Sequence, residues 1–232
     1  MMILPRKIHA VVFDMDGLLV DTETLCRDAM QAQALAMGRE LPLPVFLTMV
    51  GTNRAASEQI LVDHFGAGFP IADFHAGWTQ LFHTEAAAGV VLKAGVVELL
   101  DHLDLVGLPS AVCTSSPHRE VDRNLVPHGL KDRFQAIIAH GDYARGKPHP
   151  DPFLAAAAAL GADPAHCLAL EDSHNGVRAA HGAGMMTVMV PDLLDPTEEI
   201  RTLCVRIAES LHEVRVLIEA QAGPPPAPTQ RG

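Results

Sequence analysis

The chain is 232 residues long, enough for one large domain or two modest ones with a real core. Apolar residues make up 48% and aromatic ones 4%, which excludes a disordered chain and leaves the core to Ala, Val, Leu, Ile and Met. With 28 acidic against 17 basic residues the formal charge is −11, which argues against a nucleic-acid partner and makes any anionic substrate dependent on local cations or a metal.

The N-terminal MMILPRKIHA is too short and too quickly polar for a signal peptide, and no apolar run approaches the roughly 18 residues of a membrane span. Cys26, Cys113, Cys167 and Cys204 lie far apart without a CxxC pair, so they read as reduced thiols and not as a disulfide framework or zinc site. The expectation is a soluble, cytoplasmic protein with no membrane partner.

In chain order, AVVFDMD (10–16) predicts a buried first strand. Residues 18–90 then break the α/β rhythm: TETLCRDAMQAQALAMG, NRAASEQILVDHFG and ADFHAGWTQLFHTEAAAG predict helices parted by Gly and Pro. A further helix over 94–105 follows, with Val97, Leu100 and Leu103 at helical spacing, and then PSAVCTSS (109–116) and AIIAHGD (136–142) as strands. PDPFLAAAAALGA predicts a helix capped by Asp151, with Pro152 in its first turn, that stops at Gly161. CLALEDS (167–173), a helix through NGVRAAHGAG, and MMTVMV (185–190) complete the alternation, and the Pro-rich AGPPPAPTQRG predicts a disordered tail. No internal repeat is present. This pattern predicts an α/β fold: a Rossmann-like parallel sheet core with helices on both faces (1–17 and 91–220), an inserted α-helical cap domain (18–90) and a tail (221–232).

In an open α/β sheet, ligands bind beyond the carboxyl ends of the strands. The first strand delivers Asp14 and Asp16 there, the second Thr114, Ser115 and Ser116, the segment after the third Lys147, and the fourth Glu171 and Asp172. That inventory suits phosphoryl transfer. Carboxylate oxygens hold Mg²⁺, a carboxylate can attack phosphorus, and a lysine with hydroxyls can hold the transferring oxygens. The metal also offsets the charge that would repel phosphate.

DMDGLLVDTE, CTSS, GKPHPDPF and EDSHNGV together resemble the four motifs of the haloacid dehalogenase (HAD) superfamily, in the subclass with a helical cap after the first strand. The match runs to about residue 190 and is specific because all four motifs occur in order. The resemblance implies that Asp14 is the nucleophile and Asp16 the general acid/base. It further implies that the Asp14 side chain, the Asp16 main-chain carbonyl and Asp172 hold Mg²⁺, with Glu171 nearby through water. Thr114, the Ser115 backbone and Lys147 would bind phosphate. Dehalogenases of the family lack the second aspartate of the pair, so Asp16 points to phosphate chemistry.

Around these residues, Asp21 is expected to cap the first inserted helix, Glu23 to face the site or favour that helix terminus, and Ser173 and Asn175 to order the loop after Asp172. His118, His149, His174 and His181 lie near the motifs without zinc-ligand spacing. In VGTNRAASEQIL, Gly51 leads a segment from which Asn53 or Arg54 can reach substrate, Arg54 as an anion or sugar contact. Cys26 stands where the related sugar phosphomutases carry a His that tunes the acid/base.

The functional expectation is a Mg²⁺-dependent phosphatase of a small phosphate ester, of sugar phosphate or phosphoglycolate type, acting through an aspartyl-phosphate as a monomer or weak homodimer. The alternatives are a β-phosphoglucomutase-like sugar phosphomutase and a non-catalytic phospho-ligand binding protein. The complete motifs count against the latter.

Overall fold

The computed structural model describes residues 4–50, 52 and 54–221. The expected roles of Gly51 and Asn53 and the tail from 222 onward lie outside the described residues. The elements run β1 (Ala10–Phe13), α1 (Thr22–Ala36), α2 (Leu43–Met49), α3 (Arg54–Phe65), α4 (Ile71–Ala88), α5 (Val96–Val106), β2 (Ser110–Cys113), α6 (His118–Leu125), β3 (Ala136–Ile138), α7 (Asp151–Ala159), β4 (Cys167–Glu171), α8 (His174–Gly182), β5 (Met186–Met189), α9 (Glu198–Leu203), β6 (Arg206–Ile207) and α10 (Leu211–Glu219).

All strands pair in parallel in the order β3-β2-β1-β4-β5-β6. The chain runs from β1 outward through β2 to β3, then crosses back to β4 on the other side of β1 and outward to β6, so β1 and β4 flank the switch point where such sheets bind ligands. Alternation along β1 serves both faces of the sheet. Val11 and Phe13 pack with Leu99 and Leu103 of α5 and with Val214 and Ile218 of α10. Ala10 and Val12 pack with Phe153, Ala156 and Ala157 of α7 and with Ala179 and Ala180 of α8. The second face is built mostly from alanine, which lets those helices approach the sheet closely.

The helices α1–α4 surround a hydrophobic cluster of their own, with Met30, Phe46, Leu61 and Phe74 buried in it. Phe69 lies between Phe65 and Phe74, with ring centroids 4.3 and 5.5 Å away. Two short backbone segments join this unit to the sheet. The Asp21 N–H donates to the Val91 carbonyl at 2.9 Å and the Lys93 N–H to the Leu19 carbonyl at 3.0 Å.

The strands are shorter than the apolar runs predicted, and the runs of β1, β2 and β4 continue past the ladder into the site. α2 was not expected. Its proline-rich start reads as a breaker, yet Pro42 is the N-cap and Pro44 lies in the first turn, where no backbone donor is required. The edge strand β6 was also missed. At α7 the cap assignment is corrected. Pro150 occupies the N-cap and Asp151 is the first helical residue, its carboxylate held by Arg145 at 2.8 Å and not by the helix backbone. Among the described residues no helix is long and apolar enough to cross a membrane.

Candidate active site

β1 ends at Phe13, and Asp14 follows as a buried residue whose N–H donates to the Leu170 carbonyl at 2.9 Å. The chain then turns at Gly17, φ +80°, whose N–H donates to the Val20 carbonyl at 2.9 Å. A Cβ at Gly17 would come within 2.2 Å of an Asp172 carboxylate oxygen, so only glycine lets the turn pass the end of β4.

This turn brings Thr22 back over Asp16, and β2 supplies two more hydroxyls. Asp16 Oδ1 accepts from Thr22 Oγ1 at 2.9 Å, while Oδ2 accepts from Thr114 Oγ1 at 3.2 Å and Ser116 Oγ at 2.7 Å. Thr114 is fixed in turn by the Ser116 N–H, which donates to its hydroxyl at 3.0 Å, and by Tyr143, whose hydroxyl donates to the Thr114 carbonyl at 3.2 Å.

Lys147 lies beneath Asp14 with its side chain 7% exposed. Its ammonium donates to Asp14 Oδ1 at 2.5 Å, Glu171 Oε1 at 2.6 Å and the Cys113 carbonyl at 3.0 Å. The fully buried Glu171 also accepts from the Asp172 and Ser173 N–H groups at 3.2 Å and from Ser173 Oγ at 3.0 Å. Ser173 is at once the N-cap of α8, accepting from the Gly176 N–H at 3.1 Å. A Cβ at Gly176 would sit 1.9 Å from the Glu171 carboxyl carbon, so glycine there makes the room that Glu171 occupies.

Oxygens of Asp14, Glu171 and Asp172 lie within 4.8 Å of one another. Three buried acids face one buried lysine. Burial pushes the Asp14 carboxyl up to about 8, with Lys147 opposing and Glu171 and Asp16 adding to the rise. Asp172 is likewise raised, by burial and then by Asp14 and Glu171. Burial alone would lower the Lys147 ammonium, but Asp14 and Glu171 outweigh it and hold it protonated. A cluster of hard oxygens with more negative charge than its lysine can balance fits a divalent cation such as Mg²⁺.

Of the residues expected at the site, Asp14, Asp16, Thr114, Ser115, Lys147 and Asp172 line one cavity of about 410 Å³. Glu171 lies below it, bonded directly to Lys147 and the following loop. Arg54 lies in a neighbouring cavity, paired with Glu58 at 2.7 Å. Asp21 is the N-cap of α1, accepting from the Thr24 N–H at 3.4 Å. Thr22, Tyr143 and Gly176 went unnoticed in the sequence. So did the pair of Lys93 with Asp192 at 2.6 Å, which lies beside Asp21 and Glu23.

Known proteins resemble this chain along most of its length. The chain is 32% identical over 203 residues to hexitol phosphatase B of Escherichia coli, covering 81% of this chain and 85% of that protein. It is 28% identical over 214 residues to the bifunctional riboflavin kinase/FMN phosphatase of Arabidopsis thaliana, covering 92% of this chain but only 56% of that relative's length. The crystal structure of CbbY from Rhodobacter sphaeroides in complex with phosphate matches with a TM-score of 0.71 at 29% identity, covering 89% of this chain and 96% of that one. A second structure of that protein holds xylulose-(1,5)bisphosphate. Residues 8–184 match the model of the haloacid dehalogenase-like hydrolases. The chain belongs to that family, and it is a phosphoric monoester hydrolase.

Proposed function

We propose that the protein hydrolyses a small phosphate monoester through a phospho-Asp14 intermediate, with Mg²⁺ held by Asp14 and Asp172, the Asp16 main-chain carbonyl and, from below, Glu171. The observation that carries this reading is the placement of Asp14 between Lys147 and Asp172, with Asp16 on the same cavity wall. When bound, the metal supplies positive charge that offsets the acids and the phosphate.

Asp14 attacks phosphorus with one carboxylate oxygen while the bond to the ester oxygen breaks. Asp16 gives its proton to that departing oxygen, so a neutral alcohol leaves. The aspartyl-phosphate is then attacked at phosphorus by water, whose proton returns to Asp16, freeing inorganic phosphate and Asp14. Thr22, Thr114 and Ser116 orient Asp16 for both transfers. Lys147, Thr114 and the Ser115 backbone would hold the phosphoryl oxygens. We assign the α1–α4 unit as a cap, which excludes bulk water from the site and opens for product release. Arg54, on that unit, gives its Nε to Glu58, so a role toward substrate falls to the rest of its guanidinium.

Hydrolysis is favoured over phosphomutase chemistry by Cys26, whose thiol burial pushes up to about 12, so it exchanges no proton with Asp16 near neutrality. The test is a phosphate-release screen over phosphorylated metabolites with Mg²⁺. The wild type should release phosphate from at least one ester and Asp14→Asn from none. Turnover by Asp14→Asn would sink the nucleophile assignment.

A further inference from the structure

Beside the catalytic cavity lies a second one of about 390 Å³, walled by α1, α2, α3 and α4 together. Met30, Phe46, Met49, Leu61 and Trp78 face it. Glu23, Val50 and Thr52 line both cavities, so the two meet at that edge.

The polar atoms around the second cavity are mostly turned on one another. Arg54 donates to Glu58 at 2.7 Å, and Thr52 Oγ1 donates to the Met49 carbonyl and pairs with Ser57 Oγ, both at 2.7 Å. The Trp78 indole N–H donates to His75 Nδ1 at 3.0 Å, which places the proton of the neutral imidazole on Nε2. That buried Nε2 lies 3.3 Å from Glu58 yet has no hydrogen-bond partner. Among the described residues the wall therefore offers mainly thioethers, an indole and aliphatic groups, with the Thr79 hydroxyl, the Cys26 thiol and, at the junction, the Glu23 carboxyl as polar groups.

Most hydroxyls of a sugar placed against such a wall would lose their water without gaining partners. A small carboxylate such as phosphoglycolate would leave the space largely empty. Flat rings match the wall instead, through contact with Trp78 and Phe46 and with methionine sulfurs. Building on the phosphatase reading above, we infer that the second cavity takes the alcohol portion of the ester, and that this portion is an aromatic or heteroaromatic ring system, not a bare polyol. The ring lies against Trp78 and Phe46, and the linking carbon with its oxygen passes Glu23 into the catalytic cavity.

Trp78 is the only tryptophan in the chain, so its fluorescence reports occupancy of this cavity without needing turnover. The Asp14→Asn protein with Mg²⁺ is titrated with phenyl phosphate, 3-pyridylmethyl phosphate, glucose 6-phosphate and phosphoglycolate, and wild-type kcat/KM is measured for the same compounds. The two ring esters should give a saturable Trp78 response with half-saturation at least about tenfold lower than the other two. Their kcat/KM should be correspondingly higher. Met49→Gln, with unchanged helix content by circular dichroism, should raise the half-saturation for phenyl phosphate about tenfold.

Equal or tighter response to glucose 6-phosphate or phosphoglycolate would overturn the inference. So would phosphate release from ring esters with no Trp78 response, and either result leaves the phosphatase reading intact. Failure of that reading looks different: no phosphate from any ester, whatever Trp78 reports.

Discussion

Glu23 is an acid among acids. Burial pushes its carboxyl up to about 7, and Asp16, Asp192 and Asp21 add to the rise against Lys93. A carboxyl raised in the folded state from 4.5 to about 7 leaves stability intact at low pH and removes it as pH rises across that window. Ionised Glu23 then costs about 3 kcal/mol. Glu23→Gln lacks this titration. In EDTA its melting temperature should match wild type near pH 4.5 and exceed it by several degrees above pH 7. Equal melting curves at both pH values would show that Glu23 is not held in this state. Gly176 makes a sharper case, since any side chain there enters the space of Glu171. Gly176→Ala should cost about 1–3 kcal/mol in urea unfolding and lower kcat/KM at least about tenfold by displacing the Glu171–Lys147 pair.

At the scale of elements, α1–α4 hold a hydrophobic cluster and meet the sheet side through the paired segments around Leu19 and Lys93 and through Leu25, Phe82 and Ala86, which pack in the core beneath. Phe74 is fully buried in that cluster. Phe74→Ala should cost about 3–5 kcal/mol. Hydrogen exchange should show the loss of protection in α1–α4 while the β1 and β4 amides stay protected. Uniform loss would mean the unit and the sheet unfold together.

The legibility of the elements followed their chemistry. β1, β2, β4 and β5 are buried along their whole length and stood out as apolar runs. β6 is two half-buried residues, Arg206 and Ile207, and carries no such signal. The acids at the strand ends were legible because carboxylates that close to a core demand a partner. Thr22 was not, since it reaches Asp16 only through the fold of the 17–20 turn. The space at Gly176 exists only between two elements, so no spacing along the chain displays it.

For the whole molecule the decisive quantity is charge. The chain carries a formal −11, and three buried acids share a single buried lysine at the site. Magnesium at about 100 times its dissociation constant should stabilise the protein by about 2.7 kcal/mol, or roughly 5–10 °C for a chain of this size. EDTA should reverse the gain. Because Asp14 must lose its proton to serve as a ligand, the magnesium concentration giving half the shift should fall as pH rises from 6 towards 8. A melting temperature indifferent to magnesium would count against the metal assignment.

Lys147 offers three N–H bonds, and protein acceptors take all of them: Asp14, Glu171 and the Cys113 carbonyl. A phosphate can reach that ammonium only when one of these lets go. Whatever draws the Asp14 oxygen towards a cation frees the lysine to meet an anion. On the proposed metal and phosphate assignment the two occupancies would be cooperative, and by reciprocity phosphate would tighten metal binding by the factor with which metal tightens phosphate. On the proposed assignment, a cation at Asp14 would prepare Lys147 for an anion.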